Sequence, residues 1–371
     1  MDFVLSEEQR MLSESLRRLV DDRFTFSARR KRRGQAGVDQ TAWASLAEVG
    51  VLGLNISTDH DGFGEDPSTL LPVHVELGRG LVSEPVIPSA VVSATLIAES
   101  GSQAAAATLL PAIASGEAIV TLAYQEPGQR YEAKPSGVKA RAQGQGYVLS
   151  GQKVHVWHGG GATTWLVTAA LENGETGIFV VNRDAAGVDV VDAPTIDATR
   201  TATLTFENTQ LDADALLVKG AAADLALSHA LDWGIAALVA HAAGAMERLI
   251  EITVDYLKTR KQFGQPLAVF QVLQHRLADM LIAKEMTLSM AYVAVSALTE
   301  KDEARRTKMI ASAKMEAARA GRYVGQQAVQ LHGGMGMTDE LEVGDFFKRL
   351  TAIDMLWGDT REQLRKLGAL L

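Results

Sequence analysis

The chain of 371 residues contains no cysteine. This absence excludes disulfides, thiolate nucleophiles and thiolate-bound metal. Long uninterrupted apolar runs are also missing, and none approaches the roughly 20 residues that a membrane-spanning helix needs. The amino terminus lacks a positive-then-apolar signal pattern. A formal net charge of −9 does not favour nucleic acid or anionic membranes as partners. We therefore expect a cytoplasmic protein without a membrane span.

A metal-ligand pattern is lacking as well. His155 and His158 stand three residues apart, but no acidic ligand accompanies them. Histidine pairs in strands or turns are more often structural than metal-binding, so no metal site is predicted. One basic run, Arg29–Arg33, interrupts the acidic composition. It is predicted to be a solvated loop, with contact to an acidic partner or a phosphate as the alternative.

The sequence does contain a clear helix–sheet–helix order. Apolar residues recur at helical spacing in residues 1–118, and short runs rich in β-branched residues fill residues 119–220. Residues 221–371 carry long helical segments, in which Gly244, Gly321 and Gly325 are predicted close-packing points. This order predicts an α+β fold, with two helical domains enclosing an antiparallel β domain.

The most distinctive segment is Tyr256–Met280, YLKTRKQFGQPLAVFQVLQHRLADM. Its first residues continue a helical pattern, and Gly264 permits a break in that helix. Pro266 suits the first turn of a second helix, because its fixed backbone angle is helical and it has no N–H to satisfy. The pattern therefore predicts two helices that meet at a corner.

Several side chains at this corner suit a nucleotide cofactor. Arg260 offers a permanent charge to phosphates, and Gln262 and Gln274 offer amide groups beside it. Phe263 and Phe270 add flat apolar surfaces for a ring. Taken alone, these residues are better explained as an ordinary helix–turn–helix corner with a solvated charge.

Further motifs change that balance, because the chain resembles the acyl-CoA dehydrogenase family. The corner matches the pattern R-x-Q-F-G-x-P-L-x-x-F-Q-x-x-Q-x-x-L-A-D-M, and Gln330–Thr338 (QLHGGMGMT) matches a second family block. The amino-terminal DFVLSEEQRML, the EPG at Glu126–Gly128 and Gly151–Lys153 follow in family order. Within the family, VDYLKTRKQFG and FFKRLTAIDMLWGD are most like the small subunit of pimeloyl-CoA dehydrogenase and similar paired-subunit enzymes.

The resemblance implies an architecture and a reaction. The domains would be an amino-terminal helical domain (1–118), a middle β domain (119–220) and a carboxy-terminal four-helix bundle (221–371) that forms subunit contacts. Family members remove a proton from the α carbon and a hydride from the β carbon of an acyl-CoA thioester. FAD accepts the hydride, and an electron-transfer flavoprotein is the expected electron acceptor. Each FAD lies at a subunit interface and is held by motifs from two chains.

The part that reaches a neighbouring chain's FAD is complete by this resemblance. Arg260 pairs with the pyrophosphate, several residues surround the adenine side, and the glycine-rich segment approaches the cofactor. Glycine at 333, 334 and 336 lets the backbone come close. We call the following set the neighbour-side residues: Arg260, Gln262, Phe263, Leu267, Phe270, Leu273, Gln330 and Gly334.

The part that cradles a chain's own FAD departs from the family pattern Y-x-V-T-E-P-G-A-G-S-D. Gln125 replaces the hydroxyl that faces the flavin, and Tyr131–Glu132 replaces the serine–aspartate pair. In place of W-I-T-N, the chain has His155 where a ring covers the isoalloxazine and Trp157 where a threonine binds it. Trp157 is expected to crowd that position. We call Gln125, His155 and Trp157 the own-side positions.

The catalytic base remains unassigned. Trp357 stands where the family's Y-E-G-T segment has its glutamate, and Gly234 stands where other members carry the base on an earlier helix. Asp232 is a nearby candidate, but two residues along a helix correspond to about 200° of rotation. Its carboxylate should therefore point elsewhere.

The sequence thus predicts FAD-dependent α,β-dehydrogenation of an acyl-CoA by one subunit of a heteromeric enzyme. The substrate would be a dicarboxylyl-CoA or another bulky acyl-CoA. Two alternatives stay open. One is a homo-oligomeric dehydrogenase with modified roles for His155, Trp157 and Asp232. The other is a non-catalytic scaffold or regulatory subunit, against which the complete Arg260 motif counts.

Overall fold

A computed structural model describes residues 5–370. Asp2, Phe3 and Val4, which begin the family-like amino-terminal segment, lie outside the described residues. The chain divides into two compact units. The first comprises the described part of Met1–Lys31, Pro67–Val82 and Ile235–Leu371, and the second comprises Arg32–Asp66 and Ser83–Gly234.

Helices make up the first unit, apart from one small hairpin. α1 begins at a capping box, in which Ser6 and Gln9 exchange hydrogen bonds of 3.1 Å, and this arrangement satisfies free N–H groups of the first turn. The helices are α1 (Glu7–Arg23), most of α2 (Phe26–Arg32), α4 (Leu70–Arg79), the larger part of α7 (Ala221–Thr259), α8 (Gln271–Ala297), α9 (Glu303–His332), α10 (Val343–Met355) and α11 (Thr360–Gly368).

Glycines allow α4 and α7 to cross with their backbones in contact. A Cβ atom on Gly244 would lie 1.9 Å from the carbonyl oxygen of Val75. On the facing helix, a Cβ atom on Gly78 would lie 2.0 Å from the carbonyl oxygen of His241. Neither carbonyl can move aside without disturbing its own helix. The close-packing role predicted for Gly244 is confirmed, and Gly78 is its counterpart.

The other two predicted packing glycines lie between α9 and α10. A Cβ atom on Gly325 would approach the ring of Phe347 to 2.6 Å, and one on Gly321 would approach Leu350 to 3.3 Å. Both positions therefore favour glycine because the neighbouring helix is close. The carboxy-terminal region is helical as predicted, with five helices in its described part, of which α7, α8 and α9 are long.

The second unit contains the β-sheet and several short helices. A π-helix (Val86–Ser93) runs into α5, and the Ser89 hydroxyl accepts a hydrogen bond of 3.1 Å from the N–H of Val120 at the start of β1. The helices are α3 (Gln40–Glu48), α5 (Ala94–Glu99), α6 (Gln103–Ala114) and the first part of α7, residues 221–234. The strands are β1 (Val120–Ala123), β2 (Lys139–Gln143), β3 (Gly146–Trp157), β4 (Thr164–Ala170), β5 (Thr176–Asn182), β6 (Val188–Pro194), β7 (Arg200–Leu211) and β8 (Leu216–Lys219).

Most of the sheet is antiparallel, in the order β6-β7-β3-β2-β4-β5-β8, with β1 also pairing with β4. Two pairings differ from the predicted antiparallel domain, because β1 and β2 each pair with β4 in parallel. The buried pattern of β4 fits a central strand, since all seven residues are buried. The change from helix to strand and back falls at Ala114/Val120 and Lys219/Ala221. The three-domain boundaries stay a prediction.

In the basic run at Arg29–Arg33, the side chains of Arg30, Lys31 and Arg33 are exposed, as the prediction of a solvated run requires. The run is not a loop, however, so that part of the prediction is wrong. Its first residues belong to α2. The Arg29 guanidinium pairs with Glu342 at 2.5 Å and donates to the carbonyl of Phe24 at 2.7 Å. Arg32 pairs with Asp39 at 2.7 Å. Glu342 is too distant from Arg29 in sequence for a local charge pattern to reveal this pair.

Candidate cofactor-binding site

The corner at residues 260–266 is a two-residue hairpin. β9 (Lys261–Gln262) pairs with β10 (Gln265–Pro266), and Phe263 and Gly264 form the turn with φ of 53° and 80°. Two consecutive left-handed residues are typical of a type I′ hairpin turn. The Leu267 N–H then donates to the carbonyl of Arg260 at 2.9 Å and closes the loop before α8. The predicted break is confirmed, and its form is a hairpin that follows the end of α7 at Thr259. Pro266 lies in β10 and not in the first turn of α8, which begins at Gln271.

Arg260 presents an available charge at the base of this hairpin. Its side chain is exposed. Within residues 5–370, its guanidinium has neither an ion-pair nor a hydrogen-bond partner. The neighbouring Gln262 amide donates only to the carbonyl of Lys261, at 2.9 Å. An exposed guanidinium beside an amide can bind a phosphate without first giving up an internal partner.

The hairpin also carries an apolar surface. The Phe263 side chain is 88% exposed and meets the ring of Phe270 edge to face, with centroids 6.0 Å apart. Phe270 precedes α8, and Leu267 and Leu273 lie half-buried on either side of it in the sequence. A phenylalanine this exposed contributes nothing to the core of its own chain. The surface therefore suits a flat apolar ligand group, next to a charge for phosphates.

The glycine-rich segment follows α9 as a short 3₁₀ turn, Gly333–Met337. Gly333 has a φ of 59°, which favours glycine, and Gln330 is exposed on the last turn of α9. A Cβ atom on Gly334 would meet nothing within 4 Å, whereas one on Gly336 would lie 2.7 Å from the carbonyl oxygen of Val329. Packing inside the chain thus explains Gly336 but not Gly334.

A stacking contact joins the two neighbour-side motifs. The ring of Tyr256 stacks on the imidazole of His332 with centroids 4.3 Å apart and an interplanar angle of 29°. Tyr256 lies four residues before Arg260, and His332 immediately precedes Gly333. The structure therefore connects the corner and the glycine-rich turn, which are separated by 76 residues at this contact.

The own-side positions lie together in the second unit. The N–H of Val154 donates to the carbonyl of Gln125 at 2.9 Å, so the segment after β1 lies beside β3. The Gln125 side-chain amide donates to the carbonyl of Arg130 at 2.7 Å. The amide is thus used within its own loop, where the family has a hydroxyl directed at the flavin.

The substitutions in β3 also change its surface. His155 is exposed and has a φ of 54°, in a β-bulge where the pairing with β7 shifts between Lys153 and Val156. The Trp157 side chain is buried, and its indole N–H donates to the Thr199 hydroxyl at 3.2 Å. The Trp157 indole therefore packs inside the protein, at the position where the family pattern has a threonine.

A buried ion pair supports this region and was not recognised from the sequence. Lys153 and Glu126 are both buried, and the Lys153 ammonium donates to Glu126 at 2.7 Å and to the Thr168 hydroxyl at 2.9 Å. Burial lowers the pKa of Lys153 to about 8. Burial alone would raise the pKa of Glu126, but hydrogen bonds from Lys153 and the N–H groups of Val138 and Gly137 bring it below its usual value.

The pair gives the E-P-G and G-Q-K segments a structural role that does not involve a cofactor. Glu126 accepts hydrogen bonds from consecutive backbone N–H groups at residues 136–138 and so fixes the loop before β2. The sequence signal for the pair is the E-P-G motif together with G-Q-K. A buried lysine needs a nearby carboxylate, and here G-Q-K supplies the lysine and E-P-G supplies the carboxylate.

The two positions at which family members carry the catalytic base have no carboxylate in this chain, and Asp232 is the nearby candidate. Asp232 is half-buried in α7. Trp357, in the turn after α10, has a φ of 56°. Glu84 is a further carboxylate, which the sequence motifs do not indicate for this role. It is buried, which raises its pKa, and it accepts a hydrogen bond from the N–H of Ser83 at 3.1 Å and lies 3.4 Å from Arg32.

Among residues 5–370, no group of three or more metal-ligating side chains is placed to hold a metal ion. One described helix, α8, is long and apolar enough to cross a membrane by length and composition. Within its most apolar window, 44% of the residues are buried in the protein. A core helix has these same properties, so they do not indicate a membrane span.

Comparisons with known proteins decide the family. The family model for the acyl-CoA dehydrogenase C-terminal domain matches residues 224–369, and the model for the N-terminal domain matches residues 6–117. A variant of the Tcur3481–Tcur3483 steroid ACAD is 31% identical, with a TM-score of 0.88 and coverage of 98% of this chain and 97% of that chain. The chain belongs to the acyl-CoA dehydrogenase family.

Other members of this family of FAD-dependent oxidoreductases are similar along most of the chain. A chain of the ChsE4–ChsE5 complex from Mycobacterium tuberculosis is 27% identical, with a TM-score of 0.88. The match covers 100% of this chain and 98% of the chain in the complex. The mitochondrial short-chain specific acyl-CoA dehydrogenase of Homo sapiens is 29% identical over 319 residues, which are 83% of this chain and 77% of the relative. The predicted helix–sheet–helix architecture is thereby confirmed.

Proposed function

We propose that this chain is one subunit of a heteromeric FAD-dependent acyl-CoA dehydrogenase. Its neighbour-side residues would bind an FAD that a second, different subunit cradles. The observation that carries this proposal is the contrast between the two half-sites. Arg260 and Gly334 face open space in their own chain, whereas the Gln125 amide and the Trp157 indole are committed to internal hydrogen bonds.

The neighbour-side residues fit their half of the cofactor. Arg260 would hold the pyrophosphate, with the Gln262 amide beside it, because a guanidinium forms strong charge-assisted hydrogen bonds to phosphate oxygens. The apolar surface at Phe263 and Phe270 would cover the adenine side. Gly334 has the room that a close approach by the cofactor requires. When bound, FAD supplies the acceptor for the substrate hydride.

Two of the similar structures support a shared site. The ChsE4–ChsE5 structure is a complex of two differently named chains, and the Tcur3481–Tcur3483 steroid ACAD also carries two names. The resemblance to the small subunit of pimeloyl-CoA dehydrogenase supports the same arrangement. We therefore place the catalytic base in the partner subunit. A cytoplasmic location and an electron-transfer flavoprotein as electron acceptor belong to the same proposal.

The substrate would be a bulky acyl-CoA. The pimeloyl-CoA resemblance favours a dicarboxylyl chain, and the relation to a steroid ACAD favours a polycyclic acid. Turnover of pimeloyl-CoA, a steroid side-chain acyl-CoA and butyryl-CoA by the purified complex would separate these classes. Higher kcat/KM with butyryl-CoA than with both bulky substrates would contradict the substrate part of the proposal.

The deciding experiment is the FAD-to-chain ratio, measured by visible absorbance. The chain purified alone should carry no FAD, and a preparation co-expressed with its partner should carry about one FAD per unlike pair. One FAD per chain in the lone protein, together with acyl-CoA turnover, would contradict the heteromeric proposal. In that case Asp232 and then Glu84 become the first residues to mutate in a search for the base.

Matched variants test the half-site within the complex. Arg260→Ala should weaken FAD binding at least tenfold, whereas Arg10→Ala, at an exposed position of the same unit, should leave it unchanged. Gly334→Ala should keep the stability of the chain, because its Cβ meets nothing, yet should also weaken FAD binding. A complex that keeps full FAD affinity in both Arg260→Ala and Gly334→Ala would favour the scaffold alternative.

A further inference from the structure

One side chain touches both neighbour-side motifs. Tyr256 lies on the last turns of α7, and its carbonyl accepts a hydrogen bond of 2.8 Å from the N–H of Arg260. Its hydroxyl donates to the carbonyl of His332 at 3.3 Å, at the end of α9. The same residue therefore contacts the backbone that carries the phosphate-binding arginine and the backbone that enters the glycine-rich turn.

His332 is held firmly on its own side of this contact. It is 3% exposed, and its Nδ1 lies 2.8 Å from the carbonyl oxygen of Ala328. Because a carbonyl oxygen can only accept, Nδ1 carries the proton and the ring orientation is set. Burial lowers the pKa of His332, so the ring is neutral at physiological pH. The stacked Tyr256 ring covers a face of this fixed imidazole.

The glycine-rich turn in turn packs directly on His332. A Cβ atom on Gly336 would lie 3.0 Å from the Cβ of His332 and 2.7 Å from the carbonyl oxygen of Val329. The turn therefore has little freedom to shift relative to the histidine. A chain of contacts now runs from Arg260 through Tyr256 and His332 to the turn that contains Gly334.

We propose that Tyr256 and His332 are positioning residues that set the separation between Arg260 and Gly334, so that both reach one FAD molecule. This inference rests on the proposed function. A single cofactor spanning two motifs is bound well only if the motifs are already spaced to match it, since ordering them on binding would reduce affinity. The stacked pair would provide that spacing.

The test uses the complex of this chain with its partner. Tyr256→Leu removes the stacking and the hydroxyl, and it should weaken FAD binding at least tenfold while the two chains still associate. Tyr256→Phe keeps the stacking and should change FAD affinity less than threefold. Tyr323→Leu serves as the control, because Tyr323 is also a half-buried tyrosine and lies on α9, the helix that carries His332. Equal losses in Tyr256→Leu and Tyr323→Leu would overturn the proposal, because they would indicate general destabilisation.

A double variant distinguishes positioning from general damage. If Tyr256 acts through Arg260, the losses of affinity in Tyr256→Leu and Arg260→Ala should combine to much less than their product. Independent, multiplying losses would overturn the positioning role. Unchanged FAD affinity in Tyr256→Leu would overturn it as well.

Hydrogen exchange of the chain alone keeps this inference separate from the proposed function. Tyr256→Leu should speed amide exchange at residues 260–266 and 333–337 together, and Tyr323→Leu should not. If the wild-type complex binds no FAD but this coupled exchange is seen, the proposed function fails and the mechanical link stands. If exchange speeds up at only one of the two segments, Tyr256 does not couple them and the proposed positioning role is wrong.

Discussion

At the scale of single residues, the Glu126–Lys153 pair should dominate the stability of the second unit. Lys153→Met leaves the Glu126 carboxylate buried without its cation, although three backbone N–H groups remain. Breaking a buried pair in this way costs about 3–5 kcal/mol of unfolding free energy. Urea unfolding followed by circular dichroism would measure the loss.

The exposed Lys139 on the neighbouring strand β2 offers a control for that measurement. Lys139→Met should change the unfolding free energy by less than about 0.5 kcal/mol, as most surface substitutions do. A double variant, Lys153→Met with Glu126→Gln, should recover part of the loss because the unpaired charge is gone. Equal stability of the two lysine variants would show that the buried pair contributes nothing.

His74 is a residue-scale source of acid sensitivity in the first unit. It is fully buried, and burial lowers its pKa to about 3 from the usual 6.5. Below pH 6.5 the unfolded chain binds a proton that the folded chain does not, so stability falls as the pH falls from 6.5 towards 3. Buried His241, whose pKa is also lowered by burial and by the charge of Arg349, adds to this trend.

Replacing His74 tests this linkage. Between pH 7 and pH 5, its share of the lost unfolding free energy should be about 2 kcal/mol. His74→Leu should reduce the difference in stability between these two pH values by that amount, as measured by urea unfolding at each pH. His275→Gln, at an exposed position on α8, should keep the wild-type difference. An undiminished pH dependence in His74→Leu would contradict the assignment.

At the scale of elements, the crossing of α4 and α7 depends on two glycines. Gly244→Ala would place a methyl group 1.9 Å from the carbonyl oxygen of Val75, so the helices must separate or bend. We expect a loss of several kcal/mol of unfolding free energy, as for other overpacked core positions. Differential scanning calorimetry would show it as a lowered melting temperature.

Gly368 provides the matched substitution for this prediction. It lies at the exposed end of α11, where a Cβ atom would meet nothing within 4 Å. Gly368→Ala should leave stability unchanged or raise it by up to about 1 kcal/mol, since alanine favours helix. Should Gly244→Ala melt at or above the temperature of Gly368→Ala, the backbone contact would not be a constraint.

The elements also show which features a sequence can predict. Glycine and proline predicted a break at Gly264 but not its hairpin form, and a glycine in an apolar helix predicted the close packing at Gly244, because both signals are local. Glu342, which pairs with Arg29, and Glu126, which pairs with Lys153, lie far from their partners along the chain. These ion pairs form only when the units fold. A local charge pattern therefore predicts a solvated loop at Arg29 and gives no structural role to Lys153.

The same distinction applies to the candidate site. The residue types at Arg260, Phe263 and Gly334 could be assigned from motifs because each contributes through its own chemistry. The contact between Tyr256 and His332 could not, since it joins two helices that approach only in the folded unit. The motif comparison showed which own-side residues had changed. Only the structure shows that Trp157 turned inward to Thr199.

At the scale of the whole molecule, α8 presents an apolar face for subunit contact. Val272 is 62% exposed, Ile282 is 61% exposed and Met286 is 49% exposed, and helical geometry places the three within about 80° of one another. The family resemblance assigns subunit contacts to this domain. Ile282→Glu should therefore lower the oligomeric mass measured by light scattering after gel filtration.

The control for this prediction is an exposed apolar residue away from α8. Val191 on β6 is 59% exposed, and Val191→Glu should leave the oligomeric mass unchanged. If Ile282→Glu keeps the wild-type mass, subunits do not associate through this face. Loss of mass in both variants would indicate that added negative charge, rather than the position, is responsible.

Phe263 is a single residue whose exposed ring is useful only in the assembled enzyme. It combines a left-handed backbone, which a bulky side chain adopts only at a cost, with almost complete exposure. The hairpin turn needs the left-handed backbone, but it does not need a phenylalanine there, and the lone chain gains nothing from the exposed ring. A selection for soluble, long-lived monomer from a random library should therefore discard this phenylalanine early, with glycine or asparagine in its place. A selection for growth that depends on the assembled enzyme should retain it.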